Sequence, residues 1–511
     1  MKNILRPGSR KKRIVLIMAI IMIASLLLSA CSKNAKKDSK QFTTLDDLKN
    51  CTFAISDSNS SYEKEIEKDL PGVQFHRYTN YFDTFIAVAE NNENAAFCFK
   101  YTFIGLKESY PNLKYVEGTC QVPIVANFSR NSDALKNDFN AFIRESRQNG
   151  LLDKLAKKWM FEYDKLSDED IVDFTDLKGT NGTFKFAVSN DVLPYVYQRN
   201  GKLTGFEPAL LYEFCKARGY KPEVIETQFN AVIAGISSGK YDMGMGGYGY
   251  TAERDENSNF SDSYFNDTVV YTVNGGGESA GVLASIKNAF KRTFVTQDRW
   301  KLFAKGMLVT LLITVMSVLL GAGAGFALFL LSRRRKWLER LSYGINDTLE
   351  ALPILVVLMI FFYVIFGSSD ISGVVVSIIV FGLNFAFSYF ALMSNSVRGV
   401  PRDQTEAGLA LGYTDRQTLF KVVLPQSMEA FIPSIRSAIV ATLKSTAIVG
   451  YVAVQDLTKA GDLVRSQTFE AFLPIITVAV LYFILAKALI FLLNRFLVTP
   501  GEKRRMRREG E

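Results

Sequence analysis

Histidine is nearly missing from this sequence, with His76 the single one among 511 residues. Cysteine is sparse as well: there are five, with no CxxC pair and no cysteine–histidine cluster. A zinc site needs several such ligands at close spacing, so the pattern argues against one. No Ser/His or paired-carboxylate constellation stands out, which leaves enzymatic chemistry little to rest on. The GxxxxGK[ST] phosphate loop is absent throughout, so the chain does not carry a nucleotide motor of that type. Neither a resident cofactor nor a nucleic-acid partner is expected.

What is present is unevenly distributed. The average, 48% hydrophobic with a formal net charge of +9, resembles a soluble protein. Residues 40–280 are mixed and polar, whereas 306–495 are mostly Leu, Ile, Val, Phe and Ala in runs of about 20, enough to cross a bilayer core. The class is an integral membrane protein with a large polar domain on its N-terminal side. The apolar runs are 306–331, 344–366, 371–393, 432–454 and 471–494, giving five spans.

The first residues read as a targeting signal: KKR at 11–13, an apolar stretch from Ile14 to Leu28, then LSAC ending at Cys31. Small residues before a cysteine resemble a bacterial lipobox, which implies that Cys31 carries lipid and anchors residues 32 onward to membrane lipid. An uncleaved signal anchor is the alternative. In both cases the polar domain is exported. Five crossings that start outside end inside, which places the basic runs SRRRKWLER and EKRRMRR in the cytoplasm, as the positive-inside tendency expects. The basic connector before the first span lies outside, a position that long exported domains tolerate. Within the spans, Gly321 and Gly325 give a GxxxG spacing, read either as close helix packing or as flexibility. Lys444 lies two turns beyond Arg436 in the fourth span. It belongs either to a translocation path or to a helix break that lets it reach water.

Between the third and fourth spans lies EAGLALGYTDRQTLFKVVLP, from Glu406 to Pro425. Pro401 ends the preceding segment, and a short helix is expected over Gln404–Leu411 with Gly412 breaking it. Thr414 and Gln417 form a capping-box pair that starts a second short helix, which Pro425 is expected to stop. This is a stiff bent unit presented to the cytosol. The pattern Glu406, Ala407, Gly412, Val422, Leu424, Pro425 resembles the EAA loop of the membrane subunits of bacterial ABC importers, with Gly408 in place of the usual Ala. The resemblance implies that Glu406, Ala407, Gly412, Leu424 and Pro425 dock in a groove of an ATPase subunit dimer. ATP and Mg then belong to that partner, and this chain is a transport subunit and no enzyme. KGMLVTLLITVMSVLLGAGAG, VRGVPRDQTEAG and LKSTAIVG are similar to segments of polar amino-acid permeases. ALPILVVLMIFFYVIFG departs from the family's RGTPLLVQ opening. Two such permease units surround one path, so the resemblance implies a homodimer.

In the exported half, TFKFAVS (from Thr183), EPALLYEFCKARG, PEVIET, FNAVIAGISSG and YDMGMGG read as β, α, β, α and β. That order gives a parallel sheet with ligand chemistry at the strand C-terminal ends. The glycine cluster around Gly247 and Gly249 leaves bare backbone for a small ligand to approach. GKLTGFE and the run from Gly239 to Phe265 resemble lobe one of the amino-acid solute-binding proteins. The resemblance puts Thr251 and Arg254 on the carboxylate-binding T-x-E-R motif and Tyr195 at the ligand-facing aromatic position. A guanidinium fork suits a carboxylate better than lysine does. TLDDLKNCTFAISDSNSSY and the helical run near 134–159 resemble lobe two and its closing segment, with Ser58, Asn59 and Ser60 in the ligand loop. The family's amine-binding aspartate falls near Phe99 or Lys100 and is absent, which leaves Asp191 or Asp57 for that role or a ligand other than a standard amino acid.

The expected organisation is a signal (1–31), lobe two with the closing segment (41–165), a linker (166–182) and lobe one (183–278). An amphipathic connector (279–305), a five-helix transmembrane domain (306–497) with its coupling loop (402–425) and a basic tail (498–511) follow. The fold class is a two-lobe α/β periplasmic-binding-protein-like receptor, apparently permuted in lobe order, fused to an all-α ABC importer domain. One permuted receptor binding one ligand is the reading favoured over two receptor remnants. The function implied is a fused receptor and permease for a polar amino acid or similar small solute. A ligand-binding membrane sensor or a ligand-gated channel on the same binding fold is the alternative.

Overall fold

The computed structural model describes residues 42–502, apart from 80, 163–164, 168–169, 200–201, 252–253, 255–257, 277–286, 288, 368, 469 and 471. Cys31 and the end of the basic tail lie outside the described residues. The chain forms two compact units, one of residues up to 121 with 267–291, the other of 122–266 with 292–511.

The first unit runs β1 (Thr52–Ser56), α1 (Glu63–Asp69), β2 (Gln74–Tyr78), α2 (Tyr81–Ala89), β3 (Ala95–Phe99), α3 (Lys100–Ser109) and β4 (Leu113–Ile124). A returning strand, Phe265–Asn274, completes a five-stranded sheet in the order β2, β1, β3, returning strand, β4. β1 is parallel to both β2 and β3, while the returning strand lies antiparallel to β3 with Val269 opposite Phe99. TFAIS and AAFCF show no polar alternation because both strands are buried nearly throughout, as parallel strands covered on two faces are. Tyr62 stacks on Phe97 at 4.9 Å, and Phe53 meets Tyr271 edge-on at 5.7 Å, which forms the core.

The second unit begins with β5 (Asn127–Phe128), α4 (Asp133–Gln148) and α5 (Leu151–Ala156). It continues through β6 (Thr183–Ser189), β7 (Asp191–Val192), β8 (Val196–Arg199), β9 (Lys202–Thr204), α6 (Phe206–Arg218), β10 (Lys221–Thr227), α7 (Phe229–Ser237) and β11 (Met243–Met245). The sheet order is β10, β6, β11, β5, with the first three parallel. This is the βαβαβ arrangement expected from Thr183 onward. Gly219 closes α6 in the left-handed conformation, φ 77, that a glycine C-cap adopts without penalty.

Residues 122–156, grouped in the sequence with lobe two and its closing segment, pack on this sheet. α4 buries Leu135, Phe139, Phe142, Ile143 and Ser146 along one stripe. Phe139 and Phe142 both meet Phe214 of α6, with ring centroids 5.1 and 5.5 Å apart. The chain therefore passes between the units after Gln121 and again after Asn266, not at the expected boundary of 165–183.

The helical part of the second unit comprises α8 (Trp300–Ser332), α9 (Lys336–Ala351), α10 (Ile354–Met359), α11 (Gly373–Arg398), α12 (Arg402–Ala410), α13 (Asp415–Thr418), α14 (Leu424–Ser445), α15 (Leu457–Thr468) and α16 (Phe472–Phe496). Four helical runs among the described residues are long and apolar enough to cross a membrane, and a bent pair makes a possible fifth. That pair is α9 with α10 and the wide π turn Ile360–Ile365, bent by 105°. The single span expected over 344–366 is thus broken. Leu352 is extended, φ −93 and ψ 137, as the residue before Pro353 is constrained to be.

Gly321 and Gly325 of α8 pack on α11. A Cβ at Gly321 would stand 2.6 Å from the Gly382 carbonyl oxygen, and one at Gly325 would collide with that of Ala386. The GxxxG spacing is a close-packing device. The fourth apolar run, Asp415–Val452, begins before the expected 432 and ends two residues short of the expected 454. α14 ends at Ser445 and gives way to a 3₁₀ turn, Thr446–Val452. α15 has no counterpart in the sequence reading, because its polar sequence LTKAGDLVRSQT hides a helix buried on most of its surface.

Candidate ligand loop, coupling unit and membrane recess

The chain leaves β11 through Gly246 and Gly247, both at positive φ, 152 and 67. The Gly247 N–H donates to Oε1 of Glu207 at 3.0 Å, and the Tyr264 hydroxyl donates to the same oxygen at 2.5 Å. Glu207 is wholly buried in α6. Burial pushes its carboxyl up to about 7, against the Tyr264 hydroxyl and the Gly247 and Gly246 amides, which pull it down. The loop is therefore clamped from beneath by a carboxylate that sequence reasoning did not single out. Its signal was the final residue of GKLTGFE, quoted only as part of a resemblance.

Above this clamp Gly249 bridges Ile124, and its carbonyl accepts from Nη1 of Arg254 at 3.0 Å. The Arg254 N–H meets Thr251 Oγ1 at 3.3 Å, so Thr251 starts the turn that carries the arginine. Gly247, Gly249, Thr251 and Arg254 thus form one cluster, with Arg254 half-buried at its edge. Tyr195 adjoins the cluster but is fully enclosed, its ring edge-on to Phe265 at 6.2 Å. It supports the loop from within and presents no surface to a ligand in this structure. Asp191 lies in β7, beyond the end of β6.

In the first unit, Ser58, Asn59 and Ser60 sit in the 3₁₀ turn Asp57–Tyr62 at the C-terminal end of β1, where parallel sheets place ligand chemistry. The Ser60 hydroxyl donates to the Asp57 carbonyl at 3.0 Å, and the Ser56 and Ser58 hydroxyls are 2.9 Å apart. Asp57 is exposed. Phe99 is buried, and Lys100 is paired with Glu117 at 2.8 Å, so neither offers a carboxylate.

The coupling unit is α12 and α13 with the turn between them. Glu406 and Ala407 are exposed on α12, and Gly412 turns the chain at φ 84. The capping box is complete: the Gln417 N–H donates to Thr414 Oγ1 at 3.3 Å, and the Thr414 N–H to Gln417 Oε1 at 2.9 Å. Leu411 is 78% exposed, and Leu409, Tyr413 and Phe420 are exposed beside it. Pro425 does not stop a helix. A π turn, Leu419–Val423, carries α13 into α14, where Leu424 is buried and Pro425 occupies the first turn. Proline is tolerated there because it has no N–H to lose from the ladder.

α9, α11 and α14 line a recess of about 410 Å³ whose charged lining is acidic: Asp347 and Glu350. Asn346 donates to Glu350 Oε1 at 3.0 Å, and the Tyr343 hydroxyl to Asn395 Oδ1 at 2.9 Å. The sequence reading placed these polar residues partly inside a continuous apolar span and so did not find the recess. Lys444 is not part of it. It is exposed in the last turn of α14, one residue before the helix ends. A cation at a helix C-terminus is favourably placed.

Residues 317–499 match the family described as binding-protein-dependent transport system inner membrane component. The histidine/lysine/arginine/ornithine transport system permease protein HisQ of Escherichia coli (strain K12) is 31% identical over 226 residues, 39% of this chain and 94% of that protein. The chain belongs to this family. The L-cystine transport system permease protein TcyB of Bacillus subtilis (strain 168) is 28% identical over 197 residues, covering 37% of this chain and 83% of that protein. Among solved structures, an amino acid ABC transporter with histidines aligns with TM-score 0.37 and 22% identity over 43% of this chain and 99% of that one. A phosphate-binding protein of Streptococcus pneumoniae aligns with TM-score 0.22 and 14% identity over 48% and 97%. As an inner-membrane component of an ABC importer, the chain is a multi-pass bacterial membrane protein and a transport subunit. It works with an ATPase subunit on a small-molecule substrate.

Proposed function

We propose that this chain joins the solute receptor and the permease of an ATP-driven importer for a polar amino acid. The observation that carries the reading is the coupling unit. It is a rigid, fully capped bend on a family-matched membrane domain, with Glu406 and Ala407 exposed and apolar side chains beside them. An exposed apolar patch framed by polar residues fits a protein partner better than water. The partner is an ATPase dimer holding ATP and Mg, and two copies of this chain flank the path. Both α/β units are exported, the lipidated Cys31 tethers them, and the C-terminus is cytoplasmic. The solute carboxylate meets Arg254 and Thr251 at the clamped glycine loop. Within the membrane it passes the acidic recess at Asp347 and Glu350.

Uptake of labelled L-histidine, L-glutamate, L-glutamine and L-cystine by vesicles holding the full chain and its ATPase tests this. Uptake that needs ATP and is lost in Arg254→Ala is expected. Binding without uptake would make the chain a sensor, and uptake without ATP a channel.

A further inference from the structure

The 122–266 lobe and the membrane helices share one buried seam. Val232, Ile236 and Tyr241 of the lobe belong to the same core cluster as Phe362, Tyr363 and Val452 of the helices. At its centre Lys240, only 6% exposed, donates from Nζ to the Phe366 carbonyl at 2.9 Å and to that of Ser369 at 3.4 Å. The same ammonium lies 4.3 Å from the centroid of the Phe362 ring. The Phe366 carbonyl, where the π turn after α10 ends, also accepts from the Ser369 N–H at 3.1 Å and the Ser369 hydroxyl at 2.9 Å, and the ammonium adds a charged donor to this turn. Desolvation holds the Lys240 ammonium below the ordinary lysine range, and among the described residues its hydrogen-bond acceptors belong to the membrane part.

On the other side of the seam the Tyr363 hydroxyl reaches the carbonyls of Ala231 in α7, at 3.3 Å, and of Tyr451, at 2.9 Å. Tyr363 thus ties the lobe helix α7 to the π turn at 360–365, and the same hydroxyl joins that turn to the 3₁₀ turn at 446–452. Lys185 and Asp370 form an ion pair at the rim, with the aspartate 86% exposed. The rim pair adds little, since water screens an exposed pair. The buried seam decides the matter, because separating its faces would strand the apolar side chains of the shared cluster in water.

We infer that the 122–266 lobe is a resident outer cap of its own permease, docked through Lys240 on the 362–370 turn at every stage of transport, and not a receptor that docks from a tether. This rests on the importer reading.

The test uses the full chain in nanodiscs with the ATPase that co-purifies with it. Lys185→Cys and Asp370→Cys, in a Cys120→Ser background, are joined by a short bis-methanethiosulfonate. The expected product is an intrachain link, formed in equal yield without nucleotide, with the twenty amino acids plus cystine, and in the MgATP–vanadate state. Linked chains should keep ATP hydrolysis within twofold of unlinked ones. Lysine acylation of the unmodified chain gives a second measure that needs no variant. Lys240 should label at less than a tenth of the extent of exposed Lys202 in all three states.

A link forming only between chains, a yield that falls more than threefold in one state, or Lys240 labelling that rises to that of Lys202 would overturn the inference. So would hydrolysis abolished by the link and restored by reduction. ATP hydrolysis missing from the unlinked parent would instead overturn the importer reading, and this inference with it.

Discussion

Gly247 and Gly412 both turn the chain at positive φ, 67 and 84, yet they are held in opposite ways. The Gly247 amide is fixed by Glu207, forty residues away and buried. Gly412 has open space around it, and the bend that it makes is framed by the Thr414–Gln417 capping box a few residues on. A site closed by local hydrogen bonds carries its instructions in one short stretch. A site clamped by a distant side chain spreads them over the fold, and only the tertiary structure connects them. The first kind suits a surface that transmits force, since it survives whatever its partner does. The second suits a ligand loop whose shape is set by the lobe beneath it.

The largest expected effect is at the clamped loop. Arg254→Ala removes the guanidinium that holds the Gly249 carbonyl and that we propose meets the solute carboxylate. Loss of a paired charge costs about 3 kcal/mol or more, hence over 100-fold in Kd. Arg254→Lys should recover part of this. Titration of the full chain with the amino acid that best supports uptake measures it, and a Kd within twofold of the parent would refute the assignment.

The coupling unit should respond differently. Gly412→Pro demands φ near −65 where the chain has 84, so the bend is lost although nothing crowds the site. Glu406→Lys reverses a charge on the docking face. In both variants solute affinity should stay at the parent value while solute-stimulated ATP hydrolysis falls at least tenfold. Stimulation at parent level in both would show that the bend is not the contact.

Glu207→Gln sharpens the contrast from below. The carboxyl titrates near 7 when folded and near 4.5 in its ordinary state. Between these values the folded chain binds more protons than the unfolded one. Its contribution to stability is complete below about 4.5 and is lost as pH rises through 7. The span is worth about 3 kcal/mol. Thermal unfolding of the full chain should give a Tm that falls from pH 5 to pH 8. Glu207→Gln should flatten that slope and be the more stable at pH 8, because glutamine keeps the acceptor for Gly247 and Tyr264. An unchanged slope would place the titration elsewhere.

The same division governs what the sequence disclosed. The capping box, the Gly412 break and each β and α run from Thr183 were legible, since each is written within a dozen residues, whereas the GxxxG spacing left packing and flexibility open until α11 was seen against it. Pro425 was misjudged because a stop and a first-turn proline look alike until the preceding π turn is seen. The fate of Lys444 depended on where α14 ends, and the recess on which helices α9 meets. The α/β part was legible by strand type but not by partition. Phe139 and Phe142 go to Phe214, while the returning strand crosses to pair with β3. A cut at 165 or 178 would therefore strip strands from both sheets, and fragments made there would fail to bind whether or not one solute occupies each chain.

The smallest expected effect tests whether the coupling unit is as self-contained as it looks. Gly408, where the EAA pattern usually has alanine, lies inside α12 with an ordinary helical backbone. Its constraint is space: a Cβ there would stand 2.7 Å from Cγ2 of Thr418, which is buried where α13 packs on α12. Gly408→Ala should gain about 1 kcal/mol from helix propensity and lose about 1–2 kcal/mol to crowding, for a slight net loss. Thr418→Ala removes the opposing methyl together with a hydroxyl that makes no hydrogen bond among the described residues. The double variant should then keep the propensity gain without the crowding. Its Tm should lie above that of Gly408→Ala, with a coupling of about 1 kcal/mol in the double-mutant cycle. Additive effects in that cycle would mean that α12 and α13 do not meet at this point, and that the bend is held by its capping box alone.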